Sequence, residues 1–283
     1  MRRLALTVLL GLTLSACASQ GGTPPSGTLR VVAAFYPLQY AAQQVLGDAA
    51  TVSVLTPPGA EPHDIELTPQ QAGEVADADL VLYIPGFQPA LDAALDGRSN
   101  ALDVTRTIAE LPGPSGGTDP HVWLNPLNMA AMGVSIADRL PSIPGVAVHQ
   151  RAFTAAMDEL NAEWTTGTRS CSQHTLVVSH DAFAYLAAQY GFKQEGIAGL
   201  SPDAEPSPAR IAEIADLVTT QGITTIYYEA LVDPKVAQTI AAETGATTAL
   251  LDPIEGIVIG SSANYVSLMQ ANLQTIRAGQ SCT

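Results

Sequence analysis

Short apolar, β-branched runs alternate with stretches of helical spacing from Leu29 to the end of the chain. Residues 29–35 (LRVVAAF) and 51–55 (TVSVL) predict buried strands, the second closed by Thr56-Pro57-Pro58-Gly59, with a helix over 37–46 between them. Residues 68–78 predict a helix, with Thr68 as cap and Pro69 in the first helical position. A strand over 80–84, a helix over 88–95 and a strand over 101–104 follow. After a loop over 112–118 (PGPSGGT), a helix over 126–140 ends at Pro141 and Pro144. Residues 146–166 contain no proline, and Val148, Phe153, Met157, Leu160 and Trp164 recur three to five apart. That spacing predicts one long helix; roughly 20 residues span about 30 Å, near a domain diameter, and make a stiff connector. The alternation then resumes, with strands over 175–179, 224–228 and 247–251. Helices are expected over 182–190 (ended by Gly191), from Pro206-Ser207-Pro208, over 234–244 (ended by Gly245) and over 264–277.

Repeated β-α alternation implies an α/β fold with mostly parallel sheets. Two such lobes are expected, at 29–144 and 171–283, joined by one rigid connector helix at 145–170. Between them lies a cleft at the carboxyl ends of the strands, where ligands bind in such folds.

The first residues change the picture of where the protein works. Arg2 and Arg3 precede an apolar stretch over 4–14, too short to span a bilayer comfortably. Leu14-Ser15-Ala16-Cys17 follows and resembles the lipobox of bacterial lipoproteins. The resemblance implies a signal peptide over 1–16 and acylation of Cys17. Residues 17–28, rich in Gly, Pro and Ser, predict a flexible tether. The expected product is an exported lipoprotein on the outer face of the cell membrane or the periplasmic side, anchored but not threaded through. With Cys17 lipidated, Cys171 and Cys282 remain, and an even pair in an exported chain predicts a disulfide.

Composition adds a globular core, with 47% hydrophobic residues, and a formal net charge of −15, which repels nucleic acid and anionic surfaces. The chain has five histidines. Three of them, His63, His121 and His180, lie just after predicted strands or in turns flanked by prolines and acids. Asp252 ends a further strand. Imidazole nitrogen and carboxylate oxygen suit Zn²⁺ in a tetrahedral shell, and two ligands from each half would set the ion in the cleft. Asp119 and Asp181 adjoin two of the histidines and either orient the imidazoles or cap their loops. Trp123 and Phe183 are expected to pack around the site. Glu229, after a strand, is expected to be structural or to support a ligand, and His149 and His174 to be exposed.

Six segments together resemble the zinc and manganese substrate-binding proteins of ABC transporters, a family that includes streptococcal metal-binding adhesins. They are Phe35-Tyr36-Pro37-Leu38, the turn from Gly59 to Pro62-His63, Asp119-Pro120-His121-Val122-Trp123-Leu124, Ser179-His180-Asp181-Ala182-Phe183, Glu205-Pro206-Ser207 and Leu251-Asp252-Pro253. The resemblance implies two α/β lobes on a long helix, and metal ligands at His63, His121, His180 and Asp252. Some zinc relatives complete the shell with water or another acid, and Glu61 is then the nearest substitute. A histidine at the third position implies zinc, whereas the manganese members carry Glu there. Three imidazoles also favour a borderline-soft ion over Mn²⁺. The loop over 112–118 lacks the histidine-rich insertion of many zinc members, so a single site is expected.

The expectation is therefore a monomeric capture protein, not an enzyme, that binds one Zn²⁺ as cargo and passes it to an ABC metal permease. A manganese- or iron-binding protein or adhesin of the same family is the alternative. A zinc-dependent hydrolase is a third possibility, but no HExxH motif or nucleophile motif accompanies the histidines.

Overall fold

Every strand of the two sheets is parallel to its neighbours, and both sheets share one order. The structure, a computed structural model, describes residues 28–283 apart from Ser115. The expected signal peptide, Cys17 and residues 17–27 of the tether lie outside the described residues. In the first lobe, β1 (Leu29–Ala33), β2 (Ala50–Val54), β3 (Leu80–Tyr83) and β4 (Ala101–Asp103) are ordered β2-β1-β3-β4. In the second, β5 (Thr175–Val178), β6 (Lys193–Gly196), β7 (Thr225–Tyr228) and β8 (Thr247–Leu250) are ordered β6-β5-β7-β8. In each sheet the order reverses beside its first strand. The loops leaving the carboxyl ends diverge there and open a crevice.

Local signals explain the helices that return the chain between strands. These are α1 (Tyr36–Leu46), α2 (Pro69–Asp77) and α3 (Pro89–Leu95) in the first lobe, and α6 (Ala184–Tyr190), α7 (Pro208–Gln221) and α8 (Lys235–Thr244) in the second. Thr68 and Gln71 form a reciprocal capping box at the start of α2, and the Gln71 amide donates to the Leu55 carbonyl at 2.7 Å, tying that helix to the end of β2. Ser207 caps α7, Pro208 opens it, and Gly222 ends it in the left-handed region.

One strand departs from the expectation. β6 has the sequence Lys-Gln-Glu-Gly, with no apolar side chain to mark it. It is an edge strand, and its backbone ladder with β5 holds it in place.

Between the lobes run α4 (Pro126–Arg139) and α5 (Val146–Thr168). Helix α5 buries Val146, Phe153, Met157, Leu160 and Trp164 as one stripe, while Val148 is exposed. It packs against α1 and α4 on one side and against α9 (Tyr265–Gly279) on the other. Gly133 of α4 has no room for a side chain, since a Cβ there would lie 2.5 Å from the Phe153 ring. The main apolar core is continuous through both lobes and this helix, from Val31 to Ile276. A smaller cluster fills the space between the second sheet, α7 and α8. A core shared in this way makes the lobes one stiff body around the crevice.

Cys171 and Cys282 form a disulfide that pins the end of the chain to the start of the second lobe. The backbone N–H groups of Ser172 and Gln173 both donate to the Gln280 carbonyl beside it. The bridge joins residues 111 apart in sequence. Closing a loop of that length gives at most about 4–5 kcal/mol by chain entropy. Replacing both cysteines by serine should lower the unfolding free energy by up to that amount in urea titration. The unreduced, denatured parent should show neither thiol to a labelling reagent.

Candidate metal centre

Each imidazole is held by a different device. His63 lies in the loop after β2. The Gln88 amide donates to the Pro62 carbonyl at 2.8 Å and to Thr56 Oγ1 at 3.2 Å, and Thr56 Oγ1 donates to the Ala34 carbonyl. Both carboxylate oxygens of Glu61 accept the His63 backbone N–H, and the ring packs edge-on against Phe87. His121 follows β4. Asp119 Oδ1 accepts both its backbone N–H, at 2.9 Å, and its ring Nδ1–H, at 2.8 Å. His180 sits two residues past β5, and its Nδ1–H donates to Glu229 Oε1, just past β7, at 2.7 Å. An ionised carboxylate only accepts, so His121 and His180 are held with the proton on Nδ1 and the Nε2 lone pair aimed inward.

Those lone pairs converge with a carboxylate. His121 Nε2 is 3.4 Å from both His63 Nε2 and His180 Nε2. Glu255 Oε1 is 3.1 Å from His180 Nε2 and 3.4 Å from the Nε2 atoms of His63 and His121. Zinc–nitrogen and zinc–oxygen bonds near 2.0–2.1 Å imply a tetrahedron with edges of about 3.3 Å. The donor atoms therefore have the spacing of a four-coordinate divalent ion. His121 and His180 are fully buried, and Glu255 and His63 are 4% and 7% exposed.

The charges point the same way. Asp119, Glu229 and Glu255 are all buried. Among the described residues their ion-pair partners are imidazoles alone, with no Lys or Arg. Buried carboxylates cost several kcal/mol each unless positive charge accompanies them, so the site calls for protons or a cation. Burial lowers the His180 pKa, but Glu229 and Glu255 outweigh it and hold the imidazole well above its usual range. His121 is also raised, because Asp119 and Glu255 overcome its burial. Burial dominates at His63, which is lowered. Burial would raise Glu255, yet the three histidines hold it well below the ordinary carboxylate range.

The structure brings His63, His121 and His180 together, but with Glu255 rather than Asp252. The Asp252 carboxylate instead accepts the Ile254 N–H at 2.8 Å, and burial pushes its pKa up to about 6. Three residues later in the same loop, Glu255 reaches the centre. A strand-end position singles out Asp252; Glu255, followed by Gly256, carried a weaker signal as the next acid along the loop.

Of the neighbouring acids, Asp119 and Glu229 orient imidazoles, while Asp181 accepts the Gly196 N–H and closes a loop. Glu61 stands at the rim with one oxygen 3.9 Å from His63 Nε2; burial and the charges of Glu255 and Asp203 push its pKa up to about 7, against the His63 N–H bond. Trp123 packs on the His121 ring, Phe183 is fully buried, and His149 and His174 are exposed.

A family model described as zinc-uptake complex component A, periplasmic, matches residues 31–279. The zinc-binding lipoprotein AdcA of Streptococcus pneumoniae is 32% identical over 301 residues, an alignment that takes in 97% of this chain and 60% of AdcA. This chain thus spans less than two thirds of that relative's length. The high-affinity zinc uptake system protein ZnuA of Bacillus subtilis is 29% identical over 297 residues, covering 94% of this chain and 93% of its own. The crystal structure of the Zn(II)-bound ZnuA-like domain of S. pneumoniae AdcA superposes with a TM-score of 0.79 at 32% identity, over 90% of this chain and 99% of that one.

The pKa directions give a pH dependence. The raised His180 and His121 stabilise the metal-free fold fully below the ordinary value of 6.5, and this is lost as the pH rises through their folded values. The depressed Glu255 stabilises it above the ordinary 4.5, and this is lost as the pH falls. Protons and a divalent ion compete for the same Nε2 atoms. At fixed free Zn²⁺, the rise in melting temperature over chelator-stripped protein should therefore grow between about pH 6 and pH 8. A flat or shrinking increment would contradict a protonated metal-free cluster.

Proposed function

We propose that this chain, which belongs to the zinc-uptake complex component A family, captures one Zn²⁺ at His63, His121, His180 and Glu255 and delivers it to an ABC-type metal permease. The family is one of solute-binding proteins, not of enzymes. The observation that carries the proposal is the spacing of the four donor atoms, 3.1–3.4 Å around Glu255 Oε1 and His121 Nε2. Three imidazoles and one carboxylate in that geometry suit Zn²⁺ and offer too little oxygen for Mn²⁺ or Ca²⁺. Glu255 takes the place expected of Asp252 because its oxygen, not that of Asp252, meets the imidazoles. The names of the relatives supply the metal independently, since AdcA is called zinc-binding and ZnuA a zinc uptake protein.

Zinc here is cargo, so the centre must hold it firmly and release it whole. The protein supplies a buried shell, two carboxylates that fix the imidazole tautomers, and a net negative environment that raises the local cation concentration. Delivery fits an extracytoplasmic protein tethered near its permease by an acylated Cys17. No helix among the described residues is long and apolar enough to cross a membrane.

Elemental analysis of the full chain should find one zinc per molecule, and competition titration should rank Zn²⁺ above Mn²⁺. One donor of four in a site worth about 10–16 kcal/mol contributes roughly 3–4 kcal/mol. Glu255→Gln or His121→Ala should therefore weaken Zn²⁺ binding by about 10²–10³-fold. Parent-like affinity in both variants, or a preference for Mn²⁺, would overturn the assignment.

A further inference from the structure

The fourth donor arrives on a loop with an unusual backbone. Ile254, immediately before Glu255, has φ 57°, although it is β-branched and fully buried. A β-branched residue enters the left-handed region only when its surroundings impose it. The Asp252 carboxylate accepts the Ile254 N–H at 2.8 Å, closing an Asx-type turn around that residue.

The turn is anchored on both sides. Asn272 of α9 clamps the Asp252 backbone, accepting its N–H at 2.9 Å and donating to its carbonyl at 2.6 Å. The Pro253 carbonyl accepts from Trp123 Nε1 at 2.7 Å, and the Tyr265 hydroxyl donates to the Trp123 carbonyl at 2.6 Å. Beyond Glu255, the Ile257 carbonyl accepts the Gly59 N–H at 2.8 Å. The loop is thus held to the segments that carry His121 and His63. Within it, the side chain of Asp252 alone bonds directly to the left-handed residue next to Glu255.

We propose that Asp252 is a positioning residue for metal capture, whose carboxylate holds Ile254 in the turn that aims Glu255 at the three imidazoles. This rests on the ligand assignment above. The acid that the sequence nominates as a ligand acts through its neighbour: it uses an oxygen as a hydrogen-bond acceptor and makes no contact with the ion. Its charge is dispensable, whereas its acceptor is required.

That distinction is testable with the full chain by competition against a chromophoric zinc chelator at fixed pH. Asp252→Asn keeps an acceptor oxygen and should bind Zn²⁺ within about threefold of the parent. Asp252→Ala should weaken binding by roughly 10- to 100-fold, the range for residues that orient metal ligands. Asp252→Ser, with a shorter and weaker acceptor, should fall between. If the alanine variant does not fold, the comparison of Asn with Ser carries the test. In a Glu255→Gln background, Asp252→Ala should add less than about threefold, because its effect passes through Glu255. The inference is overturned if Asn is as weak as Ala, if the two losses multiply, or if Asp252→Ala lowers the melting temperature of stripped protein while leaving Zn²⁺ affinity unchanged. Parent-like affinity in Glu255→Gln alone identifies a different failure, that of the ligand assignment itself.

Discussion

Three buried carboxylates, with no Lys or Arg beside them among the described residues, set the terms for the rest of the molecule. Among the described residues, the ion-pair partners of Asp119, Glu229 and Glu255 are imidazoles alone. Their negative charge has to be balanced inside a region that excludes water. The neighbouring carboxylates favour protonation of His121 and His180, and a divalent ion competes with those protons for the same Nε2 atoms. The same carboxylates thus create the demand for a cation. A hydrolase would need an open coordination position and a base aimed at a bound water. Here Glu255 fills the fourth corner, which suits holding an ion and not turning over a substrate.

Meeting that constraint takes a scaffold that brings side chains from distant segments to within 3.1–3.4 Å of one another. Two parallel sheets of the same order place their carboxyl-end loops across one crevice. Helix α5 and the continuous core prevent the lobes from drifting apart. Trp123 is central to the alignment: it packs on His121, donates to Pro253 in the Glu255 loop and receives the Tyr265 hydroxyl. Packing and polar contacts therefore act on the same few residues. The disulfide secures a separate point, the end of α9 against the start of β5.

Much of this was legible in the sequence. Short apolar, β-branched runs marked most of the strands, and caps such as Thr68 and Ser207 marked helix starts, because these signals depend on neighbours a few residues away. β6 escaped notice because an edge strand needs a partner's backbone more than apolar side chains of its own. The three histidines stood out because they are scarce in this chain and sit in the loops that follow strands, which an α/β topology gathers at one edge.

The α/β alternation, the long helix, the cysteine pair and the three histidines in the loops after strands are all features of local sequence. Which acid lies beside the three imidazoles depends on the folded chain. Asp252 and Glu255 are both acids in one loop, and nothing local ranks the second above the first. The choice depends on a left-handed Ile254, an Asn272 clamp from α9 and a Trp123 bond from the other lobe. The last two come from residues 20 and 130 positions away in the chain. Backbone direction at a turn is set by such long-range contacts, so the identity of the acid that meets the imidazoles appears only once the chain is folded.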